Sequence, residues 1–124
     1  MEQTLFDLLG EDGISAIVRR FYAAVPSDEI LGPMYPAEDL AGAEMRLRLF
    51  LIYRLGGPDT YLKERGHPAL RQRHFPFAIT EVARNRWVQL MDRAIDGSDL
   101  SVKPREALRE FLHKTASFLI NSQD

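Results

Sequence analysis

Residues 56–77, which read GGPDTYLKERGHPALRQRHFPF, form a connector rich in helix-breaking residues between two stretches of helical pattern. Pro68 suits a first helical position, where the missing N–H is not needed, and good helix formers follow it. Pro76 prevents continuation, because proline lacks an N–H and disfavours the α region in the preceding residue. We therefore predict a short helix over residues 68–73, with His74 at or just past its end.

His74 is the candidate functional residue of this connector. Neutral imidazole is the commonest side-chain metal ligand, and it is the proximal iron ligand of many haem proteins. A lone histidine among arginines is also an ordinary solvated surface residue. The connector alone leaves both interpretations open.

Composition excludes several classes of protein. The 124 residues, 45% hydrophobic and 27% charged, are typical of one globular domain, which we assign to residues 1–124. The net charge of -2 argues against a nucleic-acid partner, which would require a basic surface. The absence of cysteine excludes disulfides, thiolate zinc sites, iron–sulfur clusters and covalently attached c-type haem. Any haem would therefore be held without covalent bonds to the chain.

The N-terminal residues carry neither a basic region nor a long apolar run, and the longest apolar run, 49–53, is too short to span a membrane. We expect a cytoplasmic protein without a membrane partner. Motifs for nucleotide phosphates (GxxxxGK, GxGxxG) and for a zinc protease (HExxH) are missing as well.

Apolar residues recur at spacings of three and four along most of the chain, which predicts an all-α fold. An apolar turn, 5–9, closed by Gly10, precedes a first helix over 14–25. A short helix follows Pro26 and is expected to stop at Gly32-Pro33. A central helix, 40–54, is apolar on more than one side, and Gly56-Gly57-Pro58 ends it.

Two further helices follow the connector. Thr80 is a candidate N-cap for a helix that contains Trp87 and ends at Gly97, and Pro104 is expected to open the last helix. His113 falls on the polar side of the last helix, where we expect a solvated side chain. No stretch alternates with the period of two that a strand requires.

Several segments occur together and in order along nearly the whole chain: Phe21-Tyr22, Met34-Tyr35-Pro36, 39–44 (DLAGAE), Gly56-Gly57-Pro58, 65–68 (RGHP), 73–77 (RHFPF) and Trp87. With these segments the chain resembles the truncated haemoglobins of group II. The resemblance implies a shortened globin fold in which two helices lie over two others around haem b, with His74 as the proximal iron ligand.

The resemblance also implies roles for other residues. Tyr22, Tyr35 and Trp87 would line the distal pocket and donate hydrogen bonds to the ligand on iron. Ala43, Leu47 and Leu51 would form the apolar wall of that pocket, and the small Ala43 would leave room for a ligand such as peroxide. The remaining expected haem contacts are Arg46, Tyr61, Arg65, Arg73 and Phe77. Of these, the three arginines and Tyr61 are the expected partners of the haem propionates. For His67 a surface position and a place near a propionate are both open.

These roles predict tight binding of O2 with slow release, because hydrogen bonds stabilise the partial negative charge that O2 acquires on ferrous iron. Nitric oxide, carbon monoxide and peroxide are further expected ligands. Slow release favours redox chemistry, such as oxidation of nitric oxide to nitrate or peroxidase-like turnover, supported by an electron donor that the sequence does not identify. Whether the protein is an enzyme, and whether it forms a homo-oligomer, is open. A gas sensor or ligand-delivery protein acting through a partner is the alternative, and a haem-free helical interaction module is a third hypothesis.

Overall fold

The computed structural model describes residues 3–123, and this part of the chain is helical without any strand. The prediction of an all-α fold is therefore confirmed. The α-helices are α1 (Leu5–Ala24), α2 (Leu40–Arg54), α3 (Thr60–Arg65), α4 (Leu70–His74), α5 (Glu81–Asp96) and α6 (Val102–Phe118), and 3-10 turns cover Gly32–Met34 and Ala37–Asp39.

Helix α1 begins with a reciprocal cap and breaks once. The Thr4 hydroxyl accepts a hydrogen bond from the backbone N–H of Asp7 at 3.0 Å, and the Asp7 carboxylate accepts one from the N–H of Thr4 at 3.0 Å. Gly10 has φ 74° and ψ 162°, which interrupts the helix where the apolar turn was expected to close. The helix then resumes and buries the predicted stripe.

The short helix expected after Pro26 is wrong. The Asp28 carboxylate accepts hydrogen bonds from the backbone N–H groups of Ile30 (3.0 Å) and Leu31 (2.8 Å), which holds this segment as a turn. Gly32 begins a 3-10 turn instead of ending a helix. The Asp28 side chain binds the first backbone N–H groups of this segment, and Pro33 follows a few residues later. Too few residues remain between them for a helix to propagate.

The boundaries of two later helices also differ from the prediction. Helix α4 begins at Leu70, since Ala69 adopts the left-handed conformation with φ 41° and ψ 49°. Helix α6 begins at Val102, with Pro104 inside the first turn, where backbone N–H groups need no helical partner. The Thr80 hydroxyl caps α5 as predicted, because it accepts a hydrogen bond from the N–H of Ala83 at 3.1 Å.

Helix α1 is the common packing partner of the fold: it lies against α2, α5 and α6, and α5 also packs on α6. The largest fully buried side chains of these helices are Ile14, Ile17, Phe21, Leu51, Met91, Ile95, Leu108 and Leu112. Each contributes about 1.5–3 kcal/mol by leaving water. Helix α2 has few close backbone contacts with α5 or α6. A space therefore remains between these helices.

The Gly56-Gly57 pair allows the end of α2 to approach the start of α1. The N–H of Phe6 donates to the carbonyl oxygen of Leu55 at 2.9 Å. A Cβ atom at Gly56 would lie 2.6 Å from Thr4, and one at Gly57 would lie 2.7 Å from the ring of Phe6. Gly56 also has φ 107°, which disfavours any other residue. Both glycines of the predicted helix stop are thus required by packing.

Within residues 3–123, none of the helices combines the length and the apolar character needed to cross a bilayer.

Candidate functional site

A cavity of about 460 Å³ lies among the helices. It is lined by residues of α2, of the connector that contains α3 and α4, of α5 and of α6. Its volume is within the range of about 300–1,000 Å³ typical of ligand and cofactor sites. All but one of the site residues named from the sequence line it: Tyr22, Tyr35, Ala43, Arg46, Leu47, Tyr61, Arg65, Arg73, His74, Phe77 and Trp87. The structure brings together residues that are spread over most of the sequence.

The exception is Leu51, which we expected in the apolar wall. Leu51 is 1% exposed and belongs to the packed core, and the neighbouring Phe50 lines the cavity instead. Phe50 lies about 100° around the helix from Leu51, and this rotation turns Phe50 toward the cavity while Leu51 points into the packed core. Because α2 is apolar on several sides, the sequence did not show which face this would be.

His74 has a defined hydrogen bond on one ring nitrogen. Its Nδ1 atom lies 2.7 Å from the carbonyl oxygen of Leu70, one turn earlier in α4. A carbonyl can only accept, so Nδ1 carries a proton, and in the neutral ring the lone pair is then on Nε2. This is the tautomer of a metal ligand whose other nitrogen is oriented by a second hydrogen bond. The solvated surface histidine is therefore not the arrangement observed.

Arg73, which we expected to contact a haem propionate, donates hydrogen bonds to the loop that precedes α4. Its Nε donates to the carbonyl oxygen of Pro68 at 2.7 Å, and Nη2 donates to those of Arg65 at 2.7 Å and His67 at 3.1 Å. These carbonyls lie at the end of α3 and in the loop before the left-handed Ala69. Arg73 thereby fixes the loop from which α4 begins.

The other two histidines have local partners. The Nδ1 atom of His67 accepts a hydrogen bond from the N–H of Ala69 at 3.0 Å, and His67 is exposed and outside the cavity lining. His113, expected to be solvated, is partly buried, and its Nε2 atom lies 2.9 Å from the Asp92 carboxylate. Helix α5 supplies this partner, which the pattern of α6 alone did not reveal.

Tyr22, Tyr35 and Trp87 form an aromatic cluster on the cavity. The rings of Tyr22 and Tyr35 pack edge to face with centroids 5.7 Å apart, and Phe21, behind them, lies 5.0 Å from Tyr22 and 5.2 Å from Trp87. We call Tyr22, Tyr35 and Trp87 the donor cluster, since phenol and indole groups donate hydrogen bonds.

Both tyrosines of the donor cluster stay protonated at neutral pH. Burial raises the pKa of Tyr22 far above its usual range, and the proximity of Tyr35 raises it further. Burial also raises the pKa of Tyr35, while hydrogen bonding with Trp87 and Tyr22 partly opposes this rise. Tyr35 is therefore the member of the cluster whose pKa is influenced by both others.

An ion pair holds the two segments that carry Tyr35 and Trp87. Arg86, which precedes Trp87 in α5, donates from Nη1 to Oδ1 of Asp28 at 2.9 Å. The Asp28 side chain is only 6% exposed. Hydrogen bonds from the N–H of Leu31, then from Ile30 and Arg86, lower the pKa of Asp28 below its ordinary value. The loop before Tyr35 is thereby tied to α5.

Basic side chains line part of the cavity. Arg46 donates to both carboxylate oxygens of Asp39, at 2.6 Å and 3.3 Å, and this contact lowers the pKa of Asp39. Arg65 is exposed, and Arg84, which the sequence analysis did not single out, donates to the hydroxyl of Ser117 at 3.0 Å. Exposed cations beside a largely apolar cavity suit a ligand with an apolar body and anionic groups.

Much of the apolar lining was not identified from the sequence. Three of these residues lie between α4 and α5 or within them: Leu70 in α4, Ile79 just before α5 and Ala83 in α5. The others lie in the second half of α6 or just after its end: Leu112, Thr115, Ala116 and Leu119. Their helical spacing was visible, but it indicates only an inward face. Packed cores and cavity walls have the same periodicity.

Comparisons with known proteins decide the family. The family model described as bacterial-like globin matches residues 4–121. The group 2 truncated hemoglobin of Bacillus subtilis is 37% identical over 119 residues, which cover 96% of this chain and 89% of that protein. The chain belongs to the bacterial-like globin family, as a group II truncated haemoglobin.

Solved structures agree with the fold of this globin. The group II truncated hemoglobin from Bacillus anthracis superposes with a TM-score of 0.94 at 35% identity, covering 100% of this chain and 95% of that one. A truncated oxygen-avid haemoglobin from Bacillus subtilis gives 0.90 at 37% identity, with 96% and 100% covered. The expected truncated globin fold, two helices over two, is confirmed.

Family membership gives the cofactor and the ligand class. This globin binds haem b, and it binds O2 and other small diatomic molecules. The residues present fit haem: a largely apolar cavity, cations along it, an imidazole with an oriented lone pair and hydrogen-bond donors in the same space. The hypothesis of a haem-free interaction module is therefore rejected.

Proposed function

We propose that this globin binds O2 tightly, releases it slowly, and uses it to oxidise nitric oxide to nitrate. The observation that carries the proposal is the donor cluster, which lines the same cavity as His74. Haem b, when bound, supplies a ferrous iron that takes one basic nitrogen and offers another coordination position to a diatomic molecule. The remaining contributions come from the side chains of this chain.

His74 is the proposed iron ligand. Its Nδ1–H bond to the carbonyl of Leu70 orients the ring and makes Nε2 more basic. Helix α4 has only five residues. The direction of the lone pair is therefore set by this bond together with the hydrogen bonds by which Arg73 fixes the loop before α4.

Tyr22, Tyr35 and Trp87 are the proposed distal donors. Both phenols remain protonated, so they can donate to a ligand atom that carries partial negative charge. A hydrogen bond to such an acceptor is worth about 1.5–3 kcal/mol. Each effective donor therefore slows dissociation by roughly 10- to 100-fold if the whole effect falls on the release rate. Similarity to the oxygen-avid haemoglobin from Bacillus subtilis supports the same conclusion.

Slow release makes an oxygen carrier a poor fit and favours consumption of the bound O2. The balanced reaction is NO + O2 + e⁻ → NO₃⁻, in which O2 contributes both of its oxygen atoms to nitric oxide. The electron would come from a separate reductase. The small side chain of Ala43, 8% exposed on the cavity wall, leaves room beside the donors for the second reactant, and for peroxide.

The assignment of His74 is tested by absorption and resonance Raman spectra of the wild type and of His74→Ala in ferric, ferrous and carbonyl forms. We expect the wild type to show an imidazole-ligated ferrous iron and the variant to lose that signature, with partial rescue by added imidazole. His67→Ala and His113→Ala are matched controls, because both histidines are engaged outside the cavity lining. A wild-type spectrum in His74→Ala would overturn the assignment.

The reaction is tested by mixing the oxygenated protein with nitric oxide and measuring nitrate, first in a single turnover and then with a reductase supplied. We expect one nitrate per haem in the first case and repeated turnover in the second. A nitrate yield no greater than that of free haemin would refute the enzymatic part of the proposal and leave O2 binding unaffected.

A further inference from the structure

Asn121 lies just beyond α6 and binds the segment that follows His74. Its Oδ1 accepts a hydrogen bond from the N–H of Ile79 at 2.8 Å. Its Nδ2 donates to the carbonyl oxygens of His74 at 3.2 Å and Phe77 at 3.0 Å. Its backbone N–H donates to the carbonyl oxygen of Ile79 at 2.9 Å. One residue near the C-terminal end of the chain thus contacts three residues of the turn beside the proposed iron ligand.

The chemistry of an amide is required for this arrangement. A backbone N–H needs an acceptor and two carbonyl groups need donors, so the partners fix which end of the amide is oxygen and which is nitrogen. A carboxylate would retain the bond to Ile79 and would place negative charge against the carbonyls of His74 and Phe77. An apolar side chain would lose all three side-chain bonds and keep only the backbone bond to Ile79.

Helix α4 needs such external support. It has only five residues, begins after a left-handed Ala69, and ends in a segment whose last carbonyls have no partner inside the helix. A helix of this length is not stable by itself. Arg73 holds the loop before the helix, and Asn121 holds the carbonyl of its last residue, His74.

We infer that Asn121 is a positioning residue for His74: by fixing the turn 74–79 from the end of α6, it sets the orientation of the imidazole toward the iron. This inference rests on the proposed role of His74 as the iron ligand. It extends the site to a residue that does not line the haem cavity.

The test uses the haem-loaded wild type, Asn121→Ala and Asn121→Asp. We expect the iron–imidazole stretching band of the ferrous protein to shift and broaden in both variants. We also expect haem loss to an acceptor apoglobin to be about tenfold faster, the size of effect that one or two lost hydrogen bonds produce. In the haem-loaded carbonyl form, exchange of the Ile79 amide proton should accelerate more in Asn121→Ala than in Asn121→Asp, because only the carboxylate keeps that bond.

Two controls separate positioning from general stability. Ser122→Ala removes a hydroxyl that donates to Asn121 without removing a side-chain bond to the turn 74–79. Ser98→Ala removes a bond to the carbonyl of Ile95, where α5 ends. We expect both to retain the wild-type stretching band even where they lower the melting temperature.

The outcomes are distinct. If the wild type shows the iron–imidazole band and the Asn121 variants match Ser98→Ala in band position and haem loss, the inference is wrong and the role of His74 stands. If the wild type lacks the band, the assignment of His74 fails and the inference fails with it. Should Asn121→Ala not fold, the isosteric Asn121→Asp decides between these outcomes.

Discussion

Asp28 and Arg86 lie 58 residues apart in the chain, and the guanidinium of Arg86 donates to the Asp28 carboxylate at 2.9 Å. The same carboxylate accepts the backbone N–H groups of Ile30 and Leu31. It therefore ties the loop that leads to Tyr35 to the helix that carries Trp87, and so organises the donor cluster without lining the cavity.

Replacement of Asp28 should make stability depend less on pH. Because the pKa of Asp28 in the folded protein is lowered below the ordinary value of 3.8, the carboxylate stabilises the fold above that pH. This contribution is lost as the pH falls through the lowered pKa. Asp28→Asn should therefore melt at a lower temperature than the wild type at pH 7, and the difference should shrink below about pH 3.8. Melting curves from pH 7 to pH 2.5 measure this.

Asp59→Asn is the matched control, since Asp59 is exposed and pairs only loosely with Lys63 at 3.5 Å. We expect its melting temperature to follow the wild type at every pH. A pH-independent difference between Asp28→Asn and the wild type would contradict the electrostatic explanation.

Tyr35 should contribute most to retention of O2 within the donor cluster, because it interacts with both Tyr22 and Trp87. We expect Tyr35→Phe to release O2 roughly 10- to 100-fold faster, the effect of one lost hydrogen bond to a partly charged acceptor. Stopped-flow displacement of O2 by carbon monoxide gives the rate. Tyr53→Phe is the control, since Tyr53 lies on α2 outside the haem cavity lining. An unchanged rate in Tyr35→Phe would remove Tyr35 from the set of donors.

Ala43 should set the space available to a second reactant. Ala43→Leu places a larger side chain on the cavity wall, so we expect slower reaction of the oxygenated protein with nitric oxide and slower reaction of the ferric protein with peroxide. Ala41→Leu, at an exposed position two residues earlier on α2, controls for the added apolar surface. Equal reaction rates in the two variants would show that Ala43 does not limit access.

The two glycines Gly57 and Gly13 should respond oppositely to alanine. A Cβ at Gly57 would lie 2.7 Å from Phe6 and 2.9 Å from Ile52, so Gly57→Ala should destabilise the fold by about 1–3 kcal/mol. A Cβ at Gly13 would lie 3.8 Å from Leu9 inside a helix, so Gly13→Ala should stabilise it by about 0.5–1 kcal/mol. Urea unfolding of both variants measures the changes. A stabilising Gly57→Ala would contradict the close approach of α1 to the end of α2.

Local signals in the sequence were sufficient for the end of α2 and for both boundaries of α5. Thr80, Gly97 and the Gly56-Gly57-Pro58 stop act through their own backbone neighbours, so the chain carries their effect within a few residues. The short helix expected after Pro26 failed because the Asp28 carboxylate binds the N–H groups of Ile30 and Leu31 and is held there by Arg86, which is distant in sequence. A local pattern contains no information about that partner.

The candidate site was only partly predictable for the same reason. His74 is recognisable because Pro68 and Pro76 bound the short helix at whose end it lies. The family motifs indicate Tyr22, Tyr35 and Trp87. Leu51 and Phe50 are adjacent apolar residues on α2, and helical periodicity could not decide which one faces the cavity. The roles of Arg73 and Asn121 depend on backbone carbonyls, which every residue possesses and no sequence pattern distinguishes.

The sequence by itself determined the all-α class and the positions of most helices, since these follow from side-chain chemistry and nearest neighbours along the chain. Its motifs also pointed, through their resemblance to a family, to the candidate imidazole and the candidate donor residues. Only the tertiary structure decided which apolar residues line the cavity, and how Asp28, Arg86 and Asn121 hold the site. Those features depend on distances between segments that are remote in sequence, and such distances are fixed only when the helices pack.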